Sequence, residues 1–211
     1  MNLAVRDQGS EPGPLTEPRR DTRQASKLLP QLFEGLDSSR RVTVLEVGRA
    51  LPETVAFFSQ FRCKLHVLDL YSALQSGAVD RGSSGRTLQK QFQDLFGFQA
   101  GTELDICLLW DFPHYLDEKQ LRAFSSALWP WLHTGTRAHL FGVHSAATIL
   151  LNREYGIVDA QTISVRHRTA AQMKHSPHPQ SFMSEWLTCF SSACGVLLGD
   201  GKVETLMQST V

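Results

Sequence analysis

The sequence predicts an α/β fold in which a mostly parallel sheet has helices on both faces and ends in a C-terminal antiparallel hairpin. Two apolar runs, at residues 42–47 and 64–70, each carry an acid near the end and are separated by an amphipathic stretch, as in consecutive parallel strands. Near the C-terminus, two short apolar runs flank Gly199-Asp200-Gly201. A glycine-rich connection between such runs is typical of a β-hairpin.

Helices are predicted on either side of the first strand. Apolar residues recur at helical spacing before it, and this helix should end near Gly35 or Asp37. Pro52 suits the first position of a second helix, which we expect to run to about residue 61. The apolar residues of the first helix are Leu28, Leu29, Leu32, Phe33 and Leu36, and the second should bury Val55, Phe58 and Phe61 or their neighbours.

The middle of the chain continues the alternation with one gap. Residues 76–86 contain three glycines and predict a flexible loop, followed by a helix that carries Leu88, Phe92 and Leu95. No clean third parallel strand is visible before residue 103. Residues 104–110 are apolar nearly throughout, which predicts a strand buried on both faces.

The second half is predicted to hold two more helices and one more strand. Asp117 should cap a helix whose apolar face includes Leu121 and Phe124. A short strand is predicted at residues 138–143, and a helix at residues 182–190. Residues 144–180, between them, are polar and contain several histidines.

Length and composition predict a single domain at residues 23–211, preceded by a disordered arm at residues 1–22 that is rich in Gly, Pro and charge. Lysine plus arginine and aspartate plus glutamate both number 21, and a zero formal charge argues against a nucleic-acid partner. No leader-like apolar core and no run of about 18 apolar residues is present. We therefore expect a cytoplasmic protein without a membrane span, with its four cysteines reduced.

Three segments carry a family resemblance. Residues 46–52, Glu-Val-Gly-Arg-Ala-Leu-Pro, include the end of the first strand and the turn after it; Asp69 lies near the end of the second; and Trp110-Asp111-Phe112 spans the end of the strand at 104–110. In this order they resemble the class I S-adenosylmethionine-dependent methyltransferases, which have a Rossmann-like sheet with a terminal antiparallel hairpin. In that family the first strand leads into a G-x-G-x-G loop, of which Gly48 alone remains here, and an acid at the position of Asp69 holds the ribose hydroxyls.

The resemblance covers roughly residues 25–210 and implies S-adenosylmethionine as the cofactor. It implies methyl transfer to an unidentified small-molecule or protein acceptor, mostly by positioning the acceptor in line with the methyl group. Catalytic residues are not assigned, and no metal site is expected. The cofactor-binding residues that it implies are Glu46, Gly48, Arg49, Ala50, Asp69, Leu70, Trp110, Asp111 and Phe112.

The charges near the glycine loop favour a sulfonium nucleoside over a dinucleotide. Glu53 occupies the second helical position, where a carboxylate stabilises the helix dipole but repels phosphate. S-adenosylmethionine carries a cation and no phosphate, so NAD is disfavoured. Arg49 could pair with the carboxylate of the donor, pair with Glu46 or Glu53, or fill the pocket. Gly48 could equally be a turn glycine, and Asp69 a cap of the next segment.

Other motifs predict less. Residues 111–115 are similar to the D-P-P-Y loop of amino-group methyltransferases but hold one inserted residue; His114 or Tyr115 could act as a general base. His175 and His178 lack further metal ligands, and hydrolase and nucleotidase motifs are not found.

The alternative hypothesis is a catalytically inactive protein of this fold that acts as a binding or scaffold module. The lost glycines, the unclear third strand and the polar region at residues 144–180 favour it. The two hypotheses differ in whether the mouth of the site above Gly48 is open or is filled by Arg49 and Leu51.

Overall fold

The computed structural model describes residues 22–36, 39–168 and 173–211. These residues form strands β1 (Thr22–Ala25), β2 (Val42–Val47), β3 (Cys63–Leu68), β4 (Leu104–Trp110), β5 (Leu132–Val143), β6 (Arg153–Asp159), β7 (Thr162–His167), β8 (Phe190–Leu197) and β9 (Lys202–Ser209). The α-helices are α1 (Leu29–Leu32), α2 (Pro52–Phe58), α3 (Leu70–Gln75), α4 (Gly85–Phe96), α5 (Glu118–Leu128) and α6 (Gln180–Trp186).

The main sheet has the strand order β3-β2-β4-β5-β9-β8. Strands β3, β2, β4 and β5 are parallel to their neighbours. Strand β9 is antiparallel to both β5 and β8. The predicted fold class is therefore confirmed, including the terminal hairpin formed by β8 and β9.

The sheet is covered on both faces because alternate residues of each strand point to opposite sides. On one face Leu45 belongs to a core that includes Phe92 of α4 and Phe124 of α5. On the other face Val44 belongs to a core that includes Phe58 of α2. Helices therefore lie on both faces, as predicted, but the second face has an additional cover.

That additional cover is a second, antiparallel sheet with the order β1-β7-β6. Its residues Tyr155, Ile157, Ile163 and Val165 are buried in the same core as Val44. The sequence analysis describes residues 144–180 only as polar, so these strands correct that description. Tyr155 and Ile157 in β6, and Ile163 and Val165 in β7, recur at the spacing of two that is typical of a half-buried strand. These short apolar segments lie in a mostly polar region of the sequence.

Two predicted boundaries near the N-terminus are wrong. The first helix is the single turn α1, which ends before Gly35, and Gly35 has a φ of +76°. The second helix begins at Pro52 as predicted but ends at Phe58 instead of near residue 61. It buries Phe58, as predicted, and the neighbouring Thr54 and Phe57, whereas Val55 is 47% exposed.

Two further boundaries differ. The second strand ends at Leu68 because Asp69 caps helix α3, which the sequence analysis did not predict. The last helix ends at Trp186, and Phe190 begins β8. Asp37 and residues 1–21 of the predicted arm lie outside the described residues, whereas Thr22 belongs to β1.

Strand β3 is an edge of the main sheet, because no strand is described between Leu68 and Leu104. The gap that the sequence analysis found is thus present in the fold. Within the described residues, no helix is long and apolar enough to cross a membrane.

Candidate functional site

The carboxyl ends of β2, β3 and β4 meet at one end of the sheet, where open α/β sheets bind their ligands. Gly48 follows β2 and donates a backbone hydrogen bond of 2.9 Å to Leu68 O. Its φ of +142° is a conformation that favours glycine. A Cβ atom at this position would lie 3.9 Å from the ring of Tyr71, so an aromatic side chain already stands above the turn.

Tyr71 contacts two other buried side chains, Asp111 and Arg168, in one packed group. Its hydroxyl donates to Asp111 Oδ1 at 2.7 Å. The guanidinium carbon of Arg168 lies 3.6 Å from the centre of its ring, a close cation–π contact. Arg168 is itself held by Asn152 Oδ1 at 3.1 Å and by Arg153 O at 2.7 Å. Tyr71, Asp111 and Arg168 are all buried.

The second half of the group is contributed by β6. The ring of Tyr155 stacks on Trp110 with centroids 5.5 Å apart and planes 18° apart. The hydroxyl of Tyr155 also donates to Asp111 Oδ2, at 3.4 Å. Trp110 has a φ of +51°, a strained conformation for a bulky residue that costs about 1–3 kcal/mol. The packing of β6 on the indole helps to hold that conformation.

Burial also sets the charge state of this group. Burial raises the pKa of Asp111, although the hydrogen bond from Tyr71 and the charge of Arg168 oppose the rise. Burial raises the pKa of Tyr71 and of Tyr155 well above the ordinary value for tyrosine. Both tyrosines therefore remain neutral donors towards Asp111.

Helix α2 holds the small sheet against this end of the main sheet through hydrogen bonds and an ion pair. Thr54 Oγ1 accepts a hydrogen bond of 3.0 Å from Ile157 N of β6 and donates to Glu46 Oε1 at 3.3 Å. Glu53 accepts from the hydroxyl of Ser164 in β7 and pairs with Arg166 at 3.0 Å. The first turn of α2 therefore contacts both strands of the β6–β7 hairpin.

Gly156 makes the close approach of the hairpin to α2 possible. A Cβ atom at this position would lie 2.8 Å from Ser164 Oγ and 3.0 Å from Glu53 Oε1. We expect Gly156→Val to lower the free energy of unfolding by about 1–3 kcal/mol, since overpacking forces neighbours apart. Urea unfolding measures this, with Gly199→Ala as the control because no atom lies within 4 Å of its Cβ. Equal midpoints for the two variants would contradict the close contact.

Glu46 is a buried carboxyl below the hairpin. It is 0% exposed, and burial raises its pKa to about 8, against which the hydrogen bond from Thr54 acts. The indole of Trp110 also lowers this pKa, although Trp110 Nε1 and Glu46 Oε2 have no hydrogen-bond partner among the described residues. Glu46 is therefore a neutral acid at pH 7.

The space that remains above Gly48 is a cavity of only about 10 Å³, close to the volume of one water probe. Pockets for ligands of the size of a nucleoside are about 300–1,000 Å³. The cavity is lined by Val47, Gly48, Arg49, Tyr71, Trp110, Glu154, Tyr155 and Arg168. In this conformation the residues at the site do not fit S-adenosylmethionine, because Tyr155 and Arg168 occupy the space above the turn.

The residues predicted for the site fall into two groups, those that line the small cavity and those that lie around it. Gly48, Arg49 and Trp110 line the small cavity. Arg49 Nη1 lies 3.8 Å from the carboxylate of Glu154 in β6 rather than near Glu46 or Glu53. Leu51 is buried but does not line the cavity, so the group that fills the site comes from the hairpin.

The other predicted residues lie around that cavity. Asp69 caps α3, accepting from Ser72 N at 3.1 Å and from Ser72 Oγ at 2.7 Å. Leu70 and Phe112 are buried in the helix-covered core. Glu46 and Asp111 are buried beside the cavity, and Ala50 is exposed. The structure thus places nine predicted residues near one end of the sheet without an open pocket between them.

His114 and Tyr115, the candidate bases, are part of the packed interior. His114 Nε2 donates to Phe141 O at 2.9 Å, and its Nδ1 accepts from His178 N at 3.0 Å. Burial lowers the pKa of His114 to about 3, and burial raises that of Tyr115. Neither side chain is poised to take a proton. Among the described residues, no cluster of His, Cys, Asp or Glu could hold a metal ion.

Sequence reasoning missed Tyr71, Glu154, Tyr155 and Arg168. Tyr71 stands two residues after Asp69, so a search for side chains near that acid would find it. The period-two pattern around Tyr155 could also have been found, because it resembles the other strands. No local signal identifies Arg168, whose role depends on contacts with Tyr71 and Asn152.

The strand order decides the fold. Parallel strands β3, β2, β4 and β5 are followed by an antiparallel β8–β9 hairpin whose second strand lies beside β5. The chain has the class I methyltransferase fold. No protein-family model matches the chain, and no curated protein matches it.

Solved structures resemble the chain at low sequence identity. The PH0226 protein from Pyrococcus horikoshii OT3 is 8% identical with a TM-score of 0.49, covering 87% of this chain and 88% of that one. The N-methyltransferase NodS from Bradyrhizobium japonicum WM9 is 14% identical with a TM-score of 0.47, covering 86% and 92%. The glycopeptide N-methyltransferase MtfA, complexed with S-adenosylmethionine, is 12% identical with a TM-score of 0.45, covering 85% and 92%.

Proposed function

We propose that this protein is a class I methyltransferase-fold binding module that does not transfer a methyl group. The observation that carries the proposal is the filling of the donor position by the chain itself. Tyr155 and Arg168 stack on Trp110 and Tyr71 above Gly48, and leave a cavity of about 10 Å³. A donor nucleoside would have to displace both side chains.

The contacts that fill the site support a stable arrangement. The hydroxyls of Tyr71 and Tyr155 and two guanidinium nitrogens of Arg168 form hydrogen bonds in the interior. Helix α2, whose first turn faces the donor loop in this fold, is engaged by Ile157 and Ser164 of the hairpin. The absence of two loop glycines, replaced by Ala50 and Pro52, agrees with a backbone that no longer approaches a ligand closely.

A second candidate is S-adenosylmethionine-dependent methyl transfer to a small-molecule or protein acceptor. The conformation of Gly48 favours this candidate. Its φ of +142° directly after β2 is a glycine conformation at the position where the donor loop of the family begins. Neighbours of this fold hold S-adenosylmethionine or S-adenosylhomocysteine. In this protein such binding requires the β6–β7 hairpin to move away from Trp110.

Calorimetric titration of the full chain with S-adenosylmethionine and S-adenosylhomocysteine decides between the candidates, with NAD as the control ligand. We expect no heat of binding for either sulfur nucleoside at millimolar concentration. Micromolar binding of either one, with NAD silent, would overturn the binding-module proposal and favour the methyltransferase. Thermal unfolding in the presence of each ligand provides a second readout, since a ligand that binds the folded state raises the unfolding temperature.

A further inference from the structure

Among the residues that the structure describes, no strand pairs with the outer edge of β3. No backbone hydrogen bond links residues 64–67 to any segment other than β2 in the part of the chain that the structure describes. All six residues of β3 are half-buried, so the strand is neither covered by a helix nor fully exposed. An uncovered edge of this kind presents unpaired N–H and C=O groups to an incoming strand.

A polar groove of about 290 Å³ lies beside the first residues of β3, on the face of the sheet that β3 shares with β2. Lys64 of β3, Thr43 of β2 and Arg41, which precedes β2, line one side of it, and residues 99–103 line the other. Within the described residues, neither the Lys64 ammonium nor the Arg41 guanidinium forms an ion pair or a hydrogen bond. Glu103 is the carboxylate in the lining, so the cations outnumber it and the groove favours an acidic occupant.

The two faces of β3 differ in character. Leu65 and Cys63 point to one face, where they pack against the core that includes Phe58. Lys64 and His66 point to the other face, where the ring of His66 lies 4.9 Å from that of Phe98. A strand added to this edge would therefore meet an apolar surface on one face and the charge of Lys64 on the other.

We propose that the free edge of β3 binds an extended segment of a partner protein as an added strand, with an acidic side chain opposite Lys64 and apolar side chains on the Leu65 face. Pairing of backbone groups supplies the affinity in this mode of recognition, and alternate side chains supply the selectivity. An acid opposite a lysine across two strands is a favourable pair. The inference rests on the proposed function, since it names the partner of the binding module.

The experiment measures fluorescence anisotropy of the full chain with a labelled peptide of alternating Val and Glu, eight residues long. Two matched peptides serve as controls: one with Lys in place of Glu, and one with N-methyl groups on alternate backbone amides. Inorganic phosphate, as a competitor, distinguishes a free anion from a strand. We expect micromolar binding of the acidic peptide, and binding weaker by about tenfold or more for both matched peptides.

The matched variants are Lys64→Glu, on the edge strand, and Lys119→Glu, on the exposed surface of α5. Lys64→Glu should weaken binding of the acidic peptide by about tenfold and strengthen binding of the basic peptide. Lys119→Glu should change the affinity for neither peptide. Hydrogen exchange at the amides of residues 64–67 should slow when the acidic peptide is bound.

Three outcomes would overturn the inference: no binding of the acidic peptide, equal binding of the N-methylated peptide, or complete displacement by millimolar phosphate. The last would identify the groove as a site for a small anion. None of these results involves S-adenosylmethionine. The peptide experiment therefore tests the edge strand, and the donor titration separately tests the proposed function, so that failure of one can be distinguished from failure of the other.

Discussion

We expect the Glu46→Gln protein to be more stable than the parent protein at pH 8 by about 3–4 kcal/mol. In the folded protein the pKa of Glu46 is raised by burial to about 8, from an ordinary value of 4.5. Between these pH values the unfolded chain releases a proton that the folded chain keeps. The unfolded state therefore binds fewer protons, and stability falls by about 1.4 kcal/mol per pH unit as the pH rises.

Glutamine has the shape of the protonated acid and carries no charge at any pH, so the variant loses this dependence. Urea unfolding at pH 5, 6.5 and 8 measures it: the two proteins should be close in stability at pH 5 and should diverge at pH 8. Glu34→Gln, on the exposed surface after α1, is the matched control and should follow the parent protein at each pH. Parallel curves for the parent and Glu46→Gln would show that Glu46 is ionised in the folded state.

The Tyr155→Ala protein is expected to lose about 3–5 kcal/mol of unfolding free energy. The ring of Tyr155 stacks on Trp110 and lies 5.0 Å from the ring of Phe141, so its removal leaves a cavity that rigid neighbours cannot close. Urea unfolding at pH 6 gives the value.

Tyr155→Phe separates the packing of the ring from the role of its hydroxyl. The hydroxyl lies 3.4 Å from Asp111 Oδ2, a long hydrogen bond, and Asp111 keeps its shorter bond from Tyr71. The phenylalanine variant should therefore lose about 1 kcal/mol or less. A loss for Tyr155→Phe as large as that for Tyr155→Ala would mean that the hydroxyl, rather than the ring, holds β6 against Trp110.

The main sheet was predictable because its signals are local. Strand β4 is a continuous apolar run, and Asp117 caps α5 with Gln120 in a capping box, so each could be found within a few residues of sequence. The absence of a strand pattern before residue 103 could be recognised for the same reason, since a strand there would also have a local apolar pattern. The terminal hairpin was marked by its glycines.

The filled site was not predictable in the same way. For Asp69 the sequence left two interpretations open, a ligand of the ribose and a cap of the next segment, and its oxygens accept hydrogen bonds from Ser72 at the start of α3. Tyr155 forms a hydrogen bond with Asp111, which lies 44 residues earlier in the sequence. Arg168 forms a cation–π contact with the ring of Tyr71. Such contacts depend on how the two sheets stack, and no short pattern encodes that stacking.

The pairing of β1 with β7 joins residues far apart in sequence, as the 143-residue separation of Thr22 and Val165 shows. During synthesis from the N-terminus, β2, α2 and β3 emerge long before the residues that cover them. Until residue 168 has left the ribosome, the turn at Gly48 and the face of Trp110 have no cover from this chain. During this part of synthesis the turn at Gly48 and the indole of Trp110 are therefore exposed to solvent and to other molecules in the cell.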